Sequence, residues 1–201
     1  MTGQPLPILA ALGLALAVSG CTVFPGGEPP RVMDLALADV AEATTPGYGR
    51  SLRVDTPLAT EPFDSSRILT KPSPNEYQMY GKVRWRDTAP VLVRELIIGS
   101  LRQEGRFDAV INESSPTASD LTFTSDLYGF HSETRDGQVS VTITLYGQIM
   151  DNRSRTTLCT RNFEVSEPAV AGDIDAVVTA FGTAGEDLRR QVRNWLDNCL
   201  G

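Results

Sequence analysis

Histidine and cysteine are scarce in this chain of 201 residues: one histidine, His131, and three cysteines, Cys21, Cys159 and Cys199. No cysteine or carboxylate stands at metal-ligand spacing from His131, which excludes the recurrent zinc motifs. No Ser occupies a Gly-x-Ser-x-Gly elbow, and no phosphate-cradling Gly-rich loop follows a strand, so no cofactor or nucleophile motif is present. Excess positive charge is missing too. The net charge of −7 and pI near 4.7 argue against nucleic acid as a partner and against electrostatic docking on anionic lipid. Beyond residue 30 there are no internal repeats and no low-complexity block. A solitary strand histidine is far more often structural than catalytic, and Glu186-Asp187 reads as a solvated helix face.

What is present begins with Ile8–Val18, an apolar run preceded by Pro5 and Pro7. Eleven helical residues span roughly 16 Å, about half the hydrocarbon core of a bilayer, so the run is too short for a permanent span. It fits the apolar stretch of a secretory signal peptide, although Met1–Pro7 carries no Lys or Arg. Val18-Ser19-Gly20-Cys21 then resembles the lipobox of bacterial lipoproteins. That resemblance implies cleavage before Cys21 and a diacylglycerol on its sulfur, which with a second acylation gives a stable membrane anchor. Thr22–Pro30 is rich in Pro and Gly and reads as a tether with a reach of at most about 30 Å. Thr22 stands where an Asp commonly retains lipoproteins at the inner membrane, so the resemblance implies the periplasmic face of the outer membrane. The expected organisation is 1–20 signal peptide, 21–30 lipidated cysteine and tether, and 31–199 a single domain. An exported domain leaves Cys159 and Cys199 in an oxidising compartment.

Within the domain, Arg31–Leu37 reads as a short strand, Ala41–Gly49 as a loop, and Leu52 and Val54 alternate as in a half-buried strand. Arg67–Lys71 predicts a further strand before the turn residues Pro72–Asn75. Asp87-Thr88 offers caps for a helix in which Leu92, Leu96 and Val93, Ile97, Leu101 recur at four-residue spacing, with Gly105 ending it and Phe107–Ile111 returning as a strand. Val139, Val141, Ile143, Leu145 and Ile149 line one face of a strand whose other face carries Ser140, Thr142, Thr144 and Gln148. Asp136-Gly137 predicts a hairpin pairing it with Leu121–Ser132, and the loop Asp151–Arg155 leads into a third strand, Thr157–Val165. The last helix carries Ile174, Val177, Val178, Phe181, Ala184, Leu188, Val192, Trp195 and Leu196 on one stripe. The fold class is therefore α+β: a largely antiparallel sheet with a C-terminal three-strand meander and two amphipathic helices on one face. Cys159 alternates in phase with Phe163 and Val165, and Cys199 follows the final apolar residues of the last helix, so a disulfide between them is expected.

Tyr77–Leu96 is the most distinctive segment. Tyr80 and Trp85 either pack over the start of the first helix, or form with Arg84 a partner-binding surface, since Trp, Tyr and Arg favour interface hot spots. The order lipobox, strand, Arg67-Ile68-Leu69 strand, Tyr80…Arg84-Trp85 and a capped apolar helix resembles the ABC-type transport auxiliary lipoproteins. The helix ending Glu104-Gly105-Arg106-Phe107, the meander and Ala180-Phe181…Trp195-Leu196 carry the resemblance to the C-terminus. It implies a non-catalytic outer-membrane component of an ABC-type lipid transport system. The implied partners are a periplasmic subunit with a mammalian-cell-entry (MCE) domain, the membrane through the lipid anchor, and further copies in a homo-oligomer. Only Cys21 receives a defined role. The rival readings are a periplasmic lipid chaperone, which needs an apolar cavity, and an anchored hydrolase, which needs His131 among buried carboxylates.

Overall fold

The computed structural model describes residues 28–36, 38–39 and 41–201. The expectations for the signal peptide, Cys21 and residues 22–27 fall outside the described residues. Among those described, the chain forms β1 (Arg31–Met33), β2 (Ser51–Val54), β3 (Leu69–Ser73), β4 (Glu76–Met79), β5 (Val83–Trp85), α1 (Ala89–Glu104), β6 (Ala109–Asn112), β7 (Leu121–Arg135), β8 (Gln138–Asp151), β9 (Thr156–Pro168) and α2 (Ile174–Leu200).

The long meander β7–β8–β9 is the frame. Asp136 and Gly137 both take positive φ, 51° and 79°, which is the twist-matched geometry of a two-residue hairpin. The free edge of β7 is then shared. Leu52–Val54 of β2 pairs in parallel with Leu121–Phe123, and Leu69–Lys71 of β3 pairs in parallel with His131–Glu133. Between them Leu58 bridges Asp126. With β4 antiparallel on β3 and β6 parallel on β2, the sheet has seven strands. The α+β reading holds, with the longest ladders antiparallel and the short N-terminal strands added in parallel. A separate two-stranded parallel sheet joins β1 to β5. The strand expected over residues 31–37 stops at Met33, because its partner β5 ends at Trp85. β3 runs on through Pro72 because that proline sits at a register shift between Thr70 and Ser73, where no ladder N–H is required of it.

Both helices lie against the sheet's inner face. Asp173 caps α2 by accepting from the backbone N–H groups of Asp175 and Ala176, at 3.1 and 3.0 Å. Thr88 occupies the cap position of α1 without a side-chain cap bond, and Gly105 ends that helix in the left-handed conformation. Phe181 and Trp195, fourteen residues apart on α2, return to nearly the same face and anchor two aromatic groups. Phe181 meets Trp85 and Phe130 at ring distances of 5.3 and 4.7 Å. Trp195 meets Phe123 and Phe163 at 5.8 and 5.4 Å. The second group exists because Gly147 interrupts the apolar row of β8: its missing side chain is the space into which Phe123 and Phe163 lean.

The segment before β2 is a strap along α2. Arg31 pairs with Asp175 in the helix's first turn. The Ala36 carbonyl approaches Gly182 so closely that a Cβ there would stand 3.0 Å from it. The Ala38 N–H donates to Glu186, and Arg189 donates from both terminal nitrogens to the Ala38 carbonyl at 3.1 Å. Tyr48 reaches Asp197 in the last turns. Gly182 and Gly185 in the middle of α2 predict close packing against the sheet or a kink; at Gly182 the close neighbour is the strap.

Gly147→Ala tests the aromatic group. The new Cβ would lie 2.6 Å from a Phe123 ring carbon, and overpacking of this kind costs roughly 1–3 kcal/mol. Urea unfolding should show that loss with an unchanged m-value.

Candidate functional site

The aromatic and basic segment comes first. Trp85 is wholly buried, between the rings of Phe130 and Phe181, and is a core residue. The partner-surface alternative for Trp85 is therefore corrected: β5 lies under the start of α1 and the indole is the largest apolar group available to fill that corner. Tyr80 is half-buried, its hydroxyl 2.9 Å from the Ser132 hydroxyl, and Arg84 donates to the Trp85 carbonyl at 2.9 Å. Both residues brace the core rather than forming a patch with Trp85.

His131 lies on the face of the sheet opposite the helices, buried beneath Phe63 and Tyr77 at ring distances of 6.0 and 5.2 Å. Burial, and then the neighbouring Lys71 ammonium, lower its pKa, while Glu133 opposes them. The imidazole is neutral near pH 7, and its Nδ1 has no hydrogen-bond partner. Its ring contacts are aromatic, Phe63 and Tyr77, with Glu133 acting on it only through its charge. Among the described residues no group of His, Cys, Asp and Glu is arranged to hold a metal. No described helix is long and apolar enough to cross a membrane.

A lipid chaperone would need an interior cavity. The space between helices and sheet is instead filled: Leu52, Ile68, Val93, Phe123, Ile143, Leu145, Phe163 and Leu188 all lie at 0 % exposure. A depression of about 310 Å³ is a groove open to solvent between the strap and α2, lined by Ala36, Ala38, Val178, Gly182 and Glu186 among others. Arg189, buried at its edge, is committed to the strap through Ala38 and to Glu186 at 2.9 Å.

One surface feature escaped sequence reasoning. Leu58 and Tyr128 are 70 % and 60 % exposed and share one small cleft. Tyr128 projects because a bulge separates Leu127, opposite Leu145, from Gly129, opposite Thr144. The signal was available: Leu121, Phe123, Ser125 and Leu127 alternate in steps of two, and the next inward residue, Phe130, comes after a step of three.

The structure joins Cys159 of β9 to Cys199 of α2, with Cα atoms 6.2 Å apart and a sequence separation of 40. In the chain-entropy model a loop of that length is worth about 4 kcal/mol. Cys159→Ser should therefore lower the denaturation midpoint of oxidised protein to near that of the reduced wild type. Trp85→Ala should be costlier to the fold than any surface change, by about 3–5 kcal/mol, measured as a lowered Tm.

No curated protein sequence matches the chain. Among solved structures, protein XCC0632 from Xanthomonas campestris superposes with a TM-score of 0.75 at 23 % identity, covering 82 % of this chain and 93 % of its own. An uncharacterized protein follows with TM-score 0.60 at 18 % identity, covering 82 % and 99 %. The hypothetical protein CT253 from Chlamydia trachomatis gives 0.52 at 10 %, covering 78 % and 98 %. These likenesses establish the fold. The family model for the ABC-type transport auxiliary lipoprotein component matches residues 34–193, most of the folded domain, and the chain belongs to that family.

Proposed function

We propose that this protein is a non-catalytic, lipid-anchored component of an ABC/MCE-type intermembrane lipid transport system. It is held at the periplasmic face of the outer membrane through Cys21 and works by binding the MCE-domain subunit. The family match over residues 34–193 carries the reading, and Val18-Ser19-Gly20-Cys21 supplies the anchoring site. The strap supplies the geometry. Arg31 is fastened to the first turn of α2, so the tether leaves the domain at that end. The C-terminal turns of both helices and the β8–β9 turn then point away from the membrane, into the space a transport subunit occupies. A packed core and a histidine enclosed by aromatic rings are consistent with a protein that acts by contact.

The test is made in cells producing the transporter. Mass spectrometry of membrane-extracted protein should find a chain beginning at lipidated Cys21, and Cys21→Ala should move the protein to the soluble periplasmic fraction. Crosslinking followed by affinity purification should recover the MCE-domain subunit. A mature chain beginning elsewhere would defeat the anchor. Recovery of no transport subunit, together with hydrolysis of an envelope substrate by purified protein, would defeat the role.

A further inference from the structure

Exposed apolar side chains are ordinary when scattered and informative when they are paired on rigid backbone. Leu58 and Tyr128 form the two lips of a cleft of about 130 Å³ whose remaining walls are Ala59, Thr60, Asp126 and Leu127. Neither lip is on a loose loop. The Leu58 N–H donates to the Ser125 carbonyl and the Leu127 N–H donates to the Leu58 carbonyl, both at 2.8 Å, so the Leu58 segment is stitched into the gap between β2 and β3. Tyr128 is held out by the bulge on the same strand. Covering this pair would remove apolar surface from water with almost no backbone ordering to set against it, the circumstance in which a Tyr becomes a binding hot spot.

Charge says what covers it. Asp126 lies in the cleft, and Glu61 and Asp64 are exposed in the loop that follows Leu58. The elements that build this surface bring no cation: residues 54–66, residues 121–134 of β7 and all of β8 contain no Lys or Arg. Arg53 of the neighbouring β2 is engaged by Asp55 at 2.9 Å. A second copy of this chain, with its net charge of −7, would set acid against acid here. An apolar side chain within a rim of Lys and Arg is complementary in both respects.

We propose that the Leu58–Tyr128 cleft is the surface on which this domain docks its periplasmic partner subunit, the partner inserting an apolar side chain flanked by cations. This assignment rests on the partnership proposed above. Its test measures binding of the detergent-solubilised full chain to the MCE-domain subunit encoded with its transporter. Leu58→Ser and Tyr128→Ala should each weaken binding at least about tenfold, and Asp126→Lys should slow association. Val170→Ser, at a residue 96 % exposed elsewhere on the surface, should change nothing. Melting temperatures should stay at the wild-type value, since both lips are outside the core. Binding that survives Leu58→Ser and Tyr128→Ala would overturn the surface while leaving the partnership standing. Failure of the wild type to bind would overturn the partnership and the surface with it. Self-association abolished by the same two substitutions, with subunit binding intact, would assign the cleft to a second copy and also overturn the proposal.

Discussion

Phe181 and Trp195 of α2, each seated in an aromatic group supplied by the sheet, set the geometry on which the rest of the domain depends. Their spacing along the helix fixes where α2 lies on β8 and β9, and that in turn fixes the register of everything fastened to its outer side. Strap, helix and sheet are thus three layers with one shared element. The strap is tied to α2 by charge and by hydrogen bonds between α2 side chains and the strap's backbone, the sheet by apolar packing. Loss of the helix would expose the inner face of the meander and release the strap together.

Burial of Arg189 illustrates how the strap contact is made specific. Burial lowers the guanidinium's pKa and Glu186 counters it, yet an arginine remains charged. Its two terminal nitrogens are spent on one backbone carbonyl, that of Ala38, and one of them also on Glu186, while the buried Nε has no hydrogen-bond partner. Breaking such an arrangement leaves an uncompensated charge, so it selects one path for the strap more than it adds net stability.

His131 shows the opposite use of a titratable group. Its pKa is lowered mainly by burial, so protonation is disfavoured in the fold and favoured in the unfolded chain. The sign is that its contribution to stability is present above the ordinary histidine pKa and lost as pH falls through it. With Phe63 and Tyr77 over it, the side chain serves as a mildly polar packing residue under the β3–β4 hairpin. Near Leu58, by contrast, exposed apolar lips stand beside Asp126 in a shallow cleft.

Periodicity alone determined the meander, the two helices and their buried faces, because an alternation of two in Val139–Leu145 and of 3.6 in Ile174–Leu196 depends only on which face meets water. The hairpin at Asp136-Gly137 and the stop at Gly105 are equally local, each a short stretch whose chemistry acts within a few residues. Tertiary structure decided what depended on distant neighbours. Trp85 was legible as an aromatic at a helix start, but only Phe130 and Phe181, 45 and 96 residues further on, made it core. The parallel pairing of β2 and β3 with one edge of β7, the strap over Gly182 and the Leu58–Tyr128 cleft join segments whose sequences do not encode one another. Backbone hydrogen bonding between strands is indifferent to side-chain identity, so which strands become neighbours is settled by how the whole apolar surface is closed.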